Sequence, residues 1–407
     1  MAIHRGLGLL AAVVTAAAAS FSLPAVAQEF RANLVIGGEL RGFFENAAWP
    51  GQDDQRVYPS IFGEADLSYA WDDKRQVINM VPFARYDVLD DRRSHVDLRE
   101  ANYRFRGGDW ELLVGAHRVF WGVAESRHLV NVINQVDAVE DVDGDDYLGQ
   151  PMVDLTLHGD WGRLDLYAMT LFRERTFHSN DSRLRGPMSV ETKDPEFEAS
   201  GKKWNVDLAA RYQNSFGPVD LGLSVFHGTN REPILKTSAG TSGPALRPYY
   251  QTMTQAGIDV AWALDDLVLK VEALYRFGQG SPFFATVFGG EYTIKNALGM
   301  DIDLGLIAEF NFDDRKALLN PVTIYDKDAF TGIRLTFNDA ADARVLFGAL
   351  IDVEDASTYL YFEASRRVFD NWRVEVELRY FAADSNRNPL RAIASDSFGQ
   401  VRLLRYF

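Results

Sequence analysis

Trp372-Arg373-Val374-Glu375-Val376-Glu377-Leu378-Arg379-Tyr380 decides the fold. Its apolar residues (Trp372, Val374, Val376, Leu378, Tyr380) alternate with Arg373, Glu375, Glu377 and Arg379. A strand sends successive side chains to opposite faces, so this segment is apolar on one side and charged on the other. The pattern recurs. From Trp204 to Tyr212, the apolar set Trp204, Val206, Leu208, Ala210 and Tyr212 opposes Asn205, Asp207 and Arg211. From Leu267 to Phe277, Lys270, Glu272 and Arg276 share one face. The segments Val219–His227 and Ala343–Val353 alternate less regularly.

A soluble sandwich also alternates, so the connections matter more than the strands. Short turn signals occur at 72–75, 107–109, 159–162, 216–218, 265–266, 296–299, 338–342 and 370–371. Longer polar connections fall between them, at 47–58, 89–94, 121–149, 176–203, 229–248, 278–282, 313–326, 354–356 and 383–394. Short turns alternating with long loops are the rhythm of a transmembrane barrel, with tight turns on the periplasmic side and larger loops outside. The expected fold is an all-β, antiparallel, up-and-down transmembrane barrel of about 18 strands, with 16 as the alternative count. Five tryptophans, Trp71, Trp110, Trp161, Trp262 and Trp372, flank short turns, where an interfacial aromatic girdle belongs. Trp204 sits at a long-loop end.

The N-terminus fits an exported protein. His4 and Arg5 precede an apolar run from Leu7 to Ala19, and Pro24 and Ala25-Val26-Ala27 follow. Residues 1–27 therefore read as a secretory signal peptide with cleavage after Ala27, and residues 28–407 as the mature barrel. No later stretch offers the roughly 20 consecutive apolar residues of a membrane-spanning helix. The chain has no cysteine, which excludes disulfides, thiolate metal ligands and a cysteine nucleophile. Its net charge of −16 opposes a nucleic-acid partner. Losing Arg5 with the leader makes the mature charge −17, from 41 basic and 58 acidic residues.

The final segment, Phe398 to Phe407, resembles the last strand of Gram-negative outer-membrane barrels, which typically ends in Phe. Val401, Leu403 and Phe407 fit that pattern and Arg405 departs from it. The block Trp121–Met152 is similar to uncharacterised porin-like proteins of proteobacteria. The resemblance implies an outer-membrane location after export, contact with membrane lipid and lipopolysaccharide, and recognition of the strand ending in Phe407 by the barrel-assembly machinery. It also implies a third external loop that folds inward to constrict the pore, and it leaves monomer and homotrimer both open.

A barrel this wide has a lumen that wall side chains do not fill, so the question is what narrows it. The candidate is Trp121–Gly149, the third external connection by this count. Leu129, Val132, Ile133 and Val136 recur at i, i+3, i+4 and i+7, which predicts a short helix with one apolar face. Such a face needs cover, either from the inner wall or as a lid over the mouth. Its acidic members, Glu125, Asp137, Glu140, Asp141, Asp143, Asp145 and Asp146, are the candidate constriction carboxylates. They fit a calcium loop poorly, because no Gly stands at the sixth position from Asp141 and Met152 occupies the twelfth. The candidate pore wall is basic: Arg85, Arg99, Arg104, Arg118, Arg173, Arg211, Arg373 and Arg379. Charge on the lipid face costs about 2–4 kcal/mol at mid-bilayer, so these should point inward. Carboxylates facing arginines across a water gap would select solutes by charge and size.

The expected function is passive diffusion of small hydrophilic solutes, with no cofactor, no metal and no catalytic role. The six histidines outside the leader are scattered, and no nucleophile elbow or HExxH spacing occurs. Two alternatives stand beside it: an outer-membrane enzyme, and an export or assembly barrel. The latter would normally carry a periplasmic domain, and only Gln28 to Ala32 are expected before the first strand.

Overall fold

The computed structural model describes residues 28–240 and 243–407, so the expected leader lies outside the described residues. The barrel strands run in chain order. The first nine are β1 (Glu29–Phe43), β2 (Val57–Trp71), β3 (Gln76–Asp87), β4 (His95–Arg106), β5 (Trp110–His117), β6 (Gln150–Gly159), β7 (Gly162–Met169), β8 (Asp207–Phe216) and β9 (Val219–Thr229). The second nine are β10 (Thr252–Leu264), β11 (Leu267–Phe277), β12 (Phe283–Ile294), β13 (Ile302–Asp313), β14 (Lys327–Phe337), β15 (Arg344–Asp352), β16 (Thr358–Phe369), β17 (Trp372–Ala382) and β18 (Phe398–Tyr406). Each pairs antiparallel with its sequence neighbours, and β1 pairs with β18 from Val35↔Tyr406 to Phe43↔Phe398. The 18-stranded sheet is thus closed, and closure removes the unpaired edges an open sheet would expose in lipid.

Burial is inverted relative to a soluble protein. On β17, Glu377 and Arg379 are 9% and 1% exposed, whereas Leu378 and Tyr380 are 41% and 46% exposed. The same holds on β8, where Asp207 and Arg211 are buried and Leu208 is exposed. Charge is gathered inside and hydrocarbon is presented outside, as a chain solvated by lipid requires. Among the described residues, no helix is long and apolar enough to cross a membrane.

The two ends differ as the spacing predicts. Turns close one end; at 217–218, Gly217 takes φ +62° ahead of Pro218, the first-position glycine of a tight hairpin. The long connections sit at the other end, with 278–282 and 353–357 the shortest of that class. Trp110, Trp161 and Trp262 are exposed beside short turns. Arg405, the departure from the terminal pattern, lies over the rings of Trp372 (5.2 Å) and Phe407 (4.7 Å), which gives the cation aromatic partners. Three expected boundaries move. The first strand begins at Glu29, not after Ala32. Trp204 lies in a single 3-10 turn ahead of β8. Arg173 lies in the connection after β7, not on a strand. On β4 the register slips opposite Val81 and Pro82, so Arg99 is unpaired in the ladder. The extra residue lets neighbouring Arg99 and Glu100 both meet lumenal partners.

Candidate functional site

The site is assembled from the wall inward. The 118–149 connection, between β5 and β6, lies against inward-facing side chains of many strands. The expected helix over Leu129–Val136 does not form. The segment is irregular, with only a two-residue pairing of Gln135–Val136 against Tyr147–Leu148. The physical reason is in the partners of its backbone. Glu272 on β11, fully buried, accepts from the N–H groups of Val123 (2.6 Å), Ala124 (2.8 Å) and Val130 (3.1 Å). Glu309 on β13 accepts from the N–H of Glu125 (2.9 Å) and from Ser126 N–H (2.8 Å) and Oγ (2.7 Å). Carboxylates of the wall thus take donors that a helix would give to its own carbonyls. The run Val130, Val132, Ile133 and Val136 is β-branched and has little helical preference to oppose this.

The apolar residues behind the predicted helix are buried all the same. Val130, Val132 and Ile133 pack with Trp121 against Tyr167, Met169, Ala209, Phe226 and Met253 of the wall, while Leu129 and Ala124 pack on Leu274, Phe283, Ala285 and Val287. Each fully buried side chain of this size contributes about 1.5–3 kcal/mol.

The predicted charges resolve into three groups. Arg85, Arg99 and Arg379 meet carboxylates of the segment. Arg85 donates to Glu140 (2.7 Å from Nη2) and to Glu39 (3.1 Å), and Arg99 lies 3.7 Å from Glu140 and 2.7 Å from Glu64. Arg379 joins Asp141 (3.2 Å), Asp143 (3.0 Å) and Glu363 (2.7 Å). These pairs touch, so the expected water gap between carboxylate and arginine is absent for them. A second group pairs away from the segment: Arg104 with Glu111, Arg118 with Glu100, Arg173 with Asp97, Arg211 with Asp259, and Arg373 with Asp342. Among the other carboxylates, Glu125 meets Arg334 (2.6 Å), Asp145 meets His128 (3.2 Å), and Asp137 accepts from Thr176 (2.8 Å). Asp146 has no ion-pair partner among the described residues. Asp141 and Asp143 converge on one guanidinium, not on a common cation position.

Environment sets the protonation of these loop groups. Burial raises Glu140, but Arg85, Arg93 and Arg99 outweigh it and hold the carboxyl below its ordinary range. Asp141 is likewise held down, its burial offset by Arg379 and Arg41. Loss of hydration and the adjacent Asp141 push Asp143 well up. Loss of hydration and Glu140 push Asp146 up to about 6.

Sequence reading did not single out Glu39, Arg41, Arg93 or Glu309. Glu39 and Arg41 alternate on β1 and could have been found by period. Arg93 lies in the 88–94 connection, where no period points to it, yet it is buried and bonds Glu39 (2.6 Å) and the carbonyl of Val139 (2.9 Å). The scattered histidines also acquire acids: His117 meets Glu100 (3.2 Å) and His178 meets Asp90 (2.8 Å).

Three cavities adjoin one another inside the barrel. A cavity of about 400 Å³ begins among the long connections, at His128, Asp145 and Tyr325, and reaches Leu346, Glu363 and Arg379. A second, of about 380 Å³, shares Leu346 and Glu363 with it and continues past Arg334 and Arg344 to Glu375. A third, of about 490 Å³, shares Glu375 and opens at Asp370, Asn371 and Trp372 beside a short turn. The first is bounded by Arg231 and by Arg276 of β11 as well as by β15–β17, and the second and third continue along β14–β18 to the short-turn end.

No protein-family model and no curated protein matches the sequence. Solved structures do match. A BenF-like porin from Pseudomonas fluorescens Pf-5 aligns with TM-score 0.54 and 11% identity over 93% of this chain and 98% of that one. Pseudomonas aeruginosa OccK2 (OpdF), solved in complex with glucuronate, aligns with TM-score 0.52 and 12% identity over 93% and 97%. Wzi of Escherichia coli, described as a carbohydrate-binding β-barrel involved in group 1 capsule assembly, aligns with TM-score 0.51 and 9% identity over 91% and 83%. At these identities the likeness is one of architecture: the chain is a porin-like, closed, 18-stranded antiparallel β-barrel.

Proposed function

We propose that this barrel lies in the outer membrane of a Gram-negative cell and lets small hydrophilic solutes diffuse through it. The 121–149 segment narrows the lumen, and the route runs beside it along β14–β18. The observation that carries this reading is the succession of three cavities sharing Leu346, Glu363 and Glu375. Arg334 with Glu125 and Arg379 with Glu363 stand where the first two cavities meet, so both signs of charge flank the passage. Lipid surrounds the exposed apolar band, and the strand ending in Phe407 serves assembly into the membrane.

The test is a planar-bilayer recording on the purified mature chain. Stepwise ohmic currents are expected. A folded barrel that inserts and stays silent would overturn the proposal and favour a binding or assembly role.

A further inference from the structure

One corner of the 121–149 segment brings three ligand-type atoms together, two of them without a partner among the described residues and the third, Glu140 Oε1, accepting from Arg85 Nε (3.0 Å). His95, the first residue of β4, has its Nδ1 3.0 Å from the carbonyl of Arg93. A carbonyl can only accept, so Nδ1 carries the proton and the Nε2 lone pair is left free in the neutral ring. That Nε2 lies 3.6 Å from Asp137 Oδ2 and 3.7 Å from Glu140 Oε1. Asp137 is 1% exposed, its Oδ1 is bonded to Thr176, and its Oδ2 has no partner among the described residues. His95 Nε2 is likewise buried and unpartnered. Arg85 compensates Glu140 but does not reach Asp137, so the His95 lone pair aimed at Asp137 Oδ2 is repulsive unless something positive sits between them.

We propose that His95 Nε2, Asp137 Oδ2 and Glu140 Oε1 bind a divalent first-row transition cation of the zinc type. The three ligand atoms lie within 4.8 Å of one another. A zinc ion held about 2.0–2.2 Å from each ligand separates neighbouring ligands by roughly 3.3–3.7 Å, so the His-to-carboxylate spacings suit it without rearrangement. One nitrogen and two oxygens suit zinc better than magnesium or calcium, which take oxygen ligands. Each ligand is already oriented by a partner: His95 by the Arg93 carbonyl, Asp137 by Thr176, and Glu140 by Arg85. The local charge permits a cation. Glu140 is balanced by Arg85, but Asp137 has no arginine in ion-pair contact among the described residues, and neither has Asp146. The ion would tie β4 to the segment that crosses the lumen, whether or not the barrel conducts.

The experiment is calorimetric titration of zinc chloride into the untagged, chelator-treated barrel in detergent. One zinc per chain is expected, with His95→Ala and Asp137→Asn each weakening binding by more than about 100-fold and magnesium failing to compete. A folded wild-type barrel that takes up no zinc at micromolar concentration would overturn the site and leave a protonated imidazole as the group between the carboxylates. Zinc uptake unchanged in the variants would also overturn it. Should D137N fail to fold, H95A decides alone, because the His95 side chain is 21% exposed and its loss leaves the strand pairing intact.

Discussion

Replacing Glu272 with Ala should release the lumenal segment while leaving the barrel closed. The carboxylate of Glu272 accepts three backbone N–H groups, from Val123, Ala124 and Val130. Bonds to a charged acceptor contribute about 1.5–3 kcal/mol each, and they are not additive, so their combined loss is on the order of 5 kcal/mol. Water reaches the freed N–H groups once the segment lifts, and the Glu309 contacts to Glu125 and Ser126 still hold. The net loosening should therefore be about 2–3 kcal/mol, which multiplies the lifted population roughly 30- to 150-fold. The cross-strand hydrogen bonds of β11 are untouched. Arg127 lies between the anchored residues, so the rate of tryptic cleavage after it reports lifting directly. Open-channel noise in bilayers reports the same motion independently. Glu272→Gln should be intermediate, since its carbonyl can still accept from Val123 and Ala124 but presents an NH₂ to Val130. An E272A barrel that is folded, and yet is cleaved at the wild-type rate with wild-type noise, would refute the docking argument.

Three further outcomes are expected. Arg379→Gln leaves Asp141, Asp143 and Glu363 without their shared cation, so the reversal potential in a salt gradient should move toward cation preference. Asp146 has a folded-state value of about 6, above an ordinary value of about 3.9. The folded chain therefore holds that proton more tightly than the unfolded one. The contribution of this group to stability falls as pH rises from about 4 to 6, and cation preference should fall as pH drops through 6. D146N should flatten that part of the pH profile. Leu378→Arg places a guanidinium on the lipid side of β17 and should cost about 2–4 kcal/mol if near mid-bilayer, read by urea titration of folding into vesicles.

What the sequence revealed follows from period. Lipid on one side and water on the other force alternation, so strand number, the two classes of connection and the inward face of Glu272 or Arg379 could be read residue by residue. The interior of the 118–149 connection could not. Leu129, Val132, Ile133 and Val136 do recur at helical spacing and are largely buried. Their burial comes from docking onto several strands, and Glu272 and Glu309 take the backbone donors that would have built the helix. Spacing also could not show which arginine meets which acid. Arg85 reaches Glu140 and Glu39 across long sequence separations, while Arg211 finds Asp259 two strands away. Arg93 escaped altogether because a connection has no period to read.

The off-centre course of the three cavities divides the inner circumference into two territories under different demands. Around the arc from β1 to β13, side chains such as Arg85, Glu272 and Glu309 are committed to fixing the inserted segment, and a change there is felt first as lost rigidity. Along β14–β18 the wall is open except where Arg334 and Arg379 hold Glu125, Asp141 and Asp143, and a residue such as Glu375 or Arg344 can be exchanged without dislodging the insert. Filtering properties could therefore drift through one third of the cylinder while the mechanical frame stays constant, the separation an engineer would want before retuning what such a tube admits.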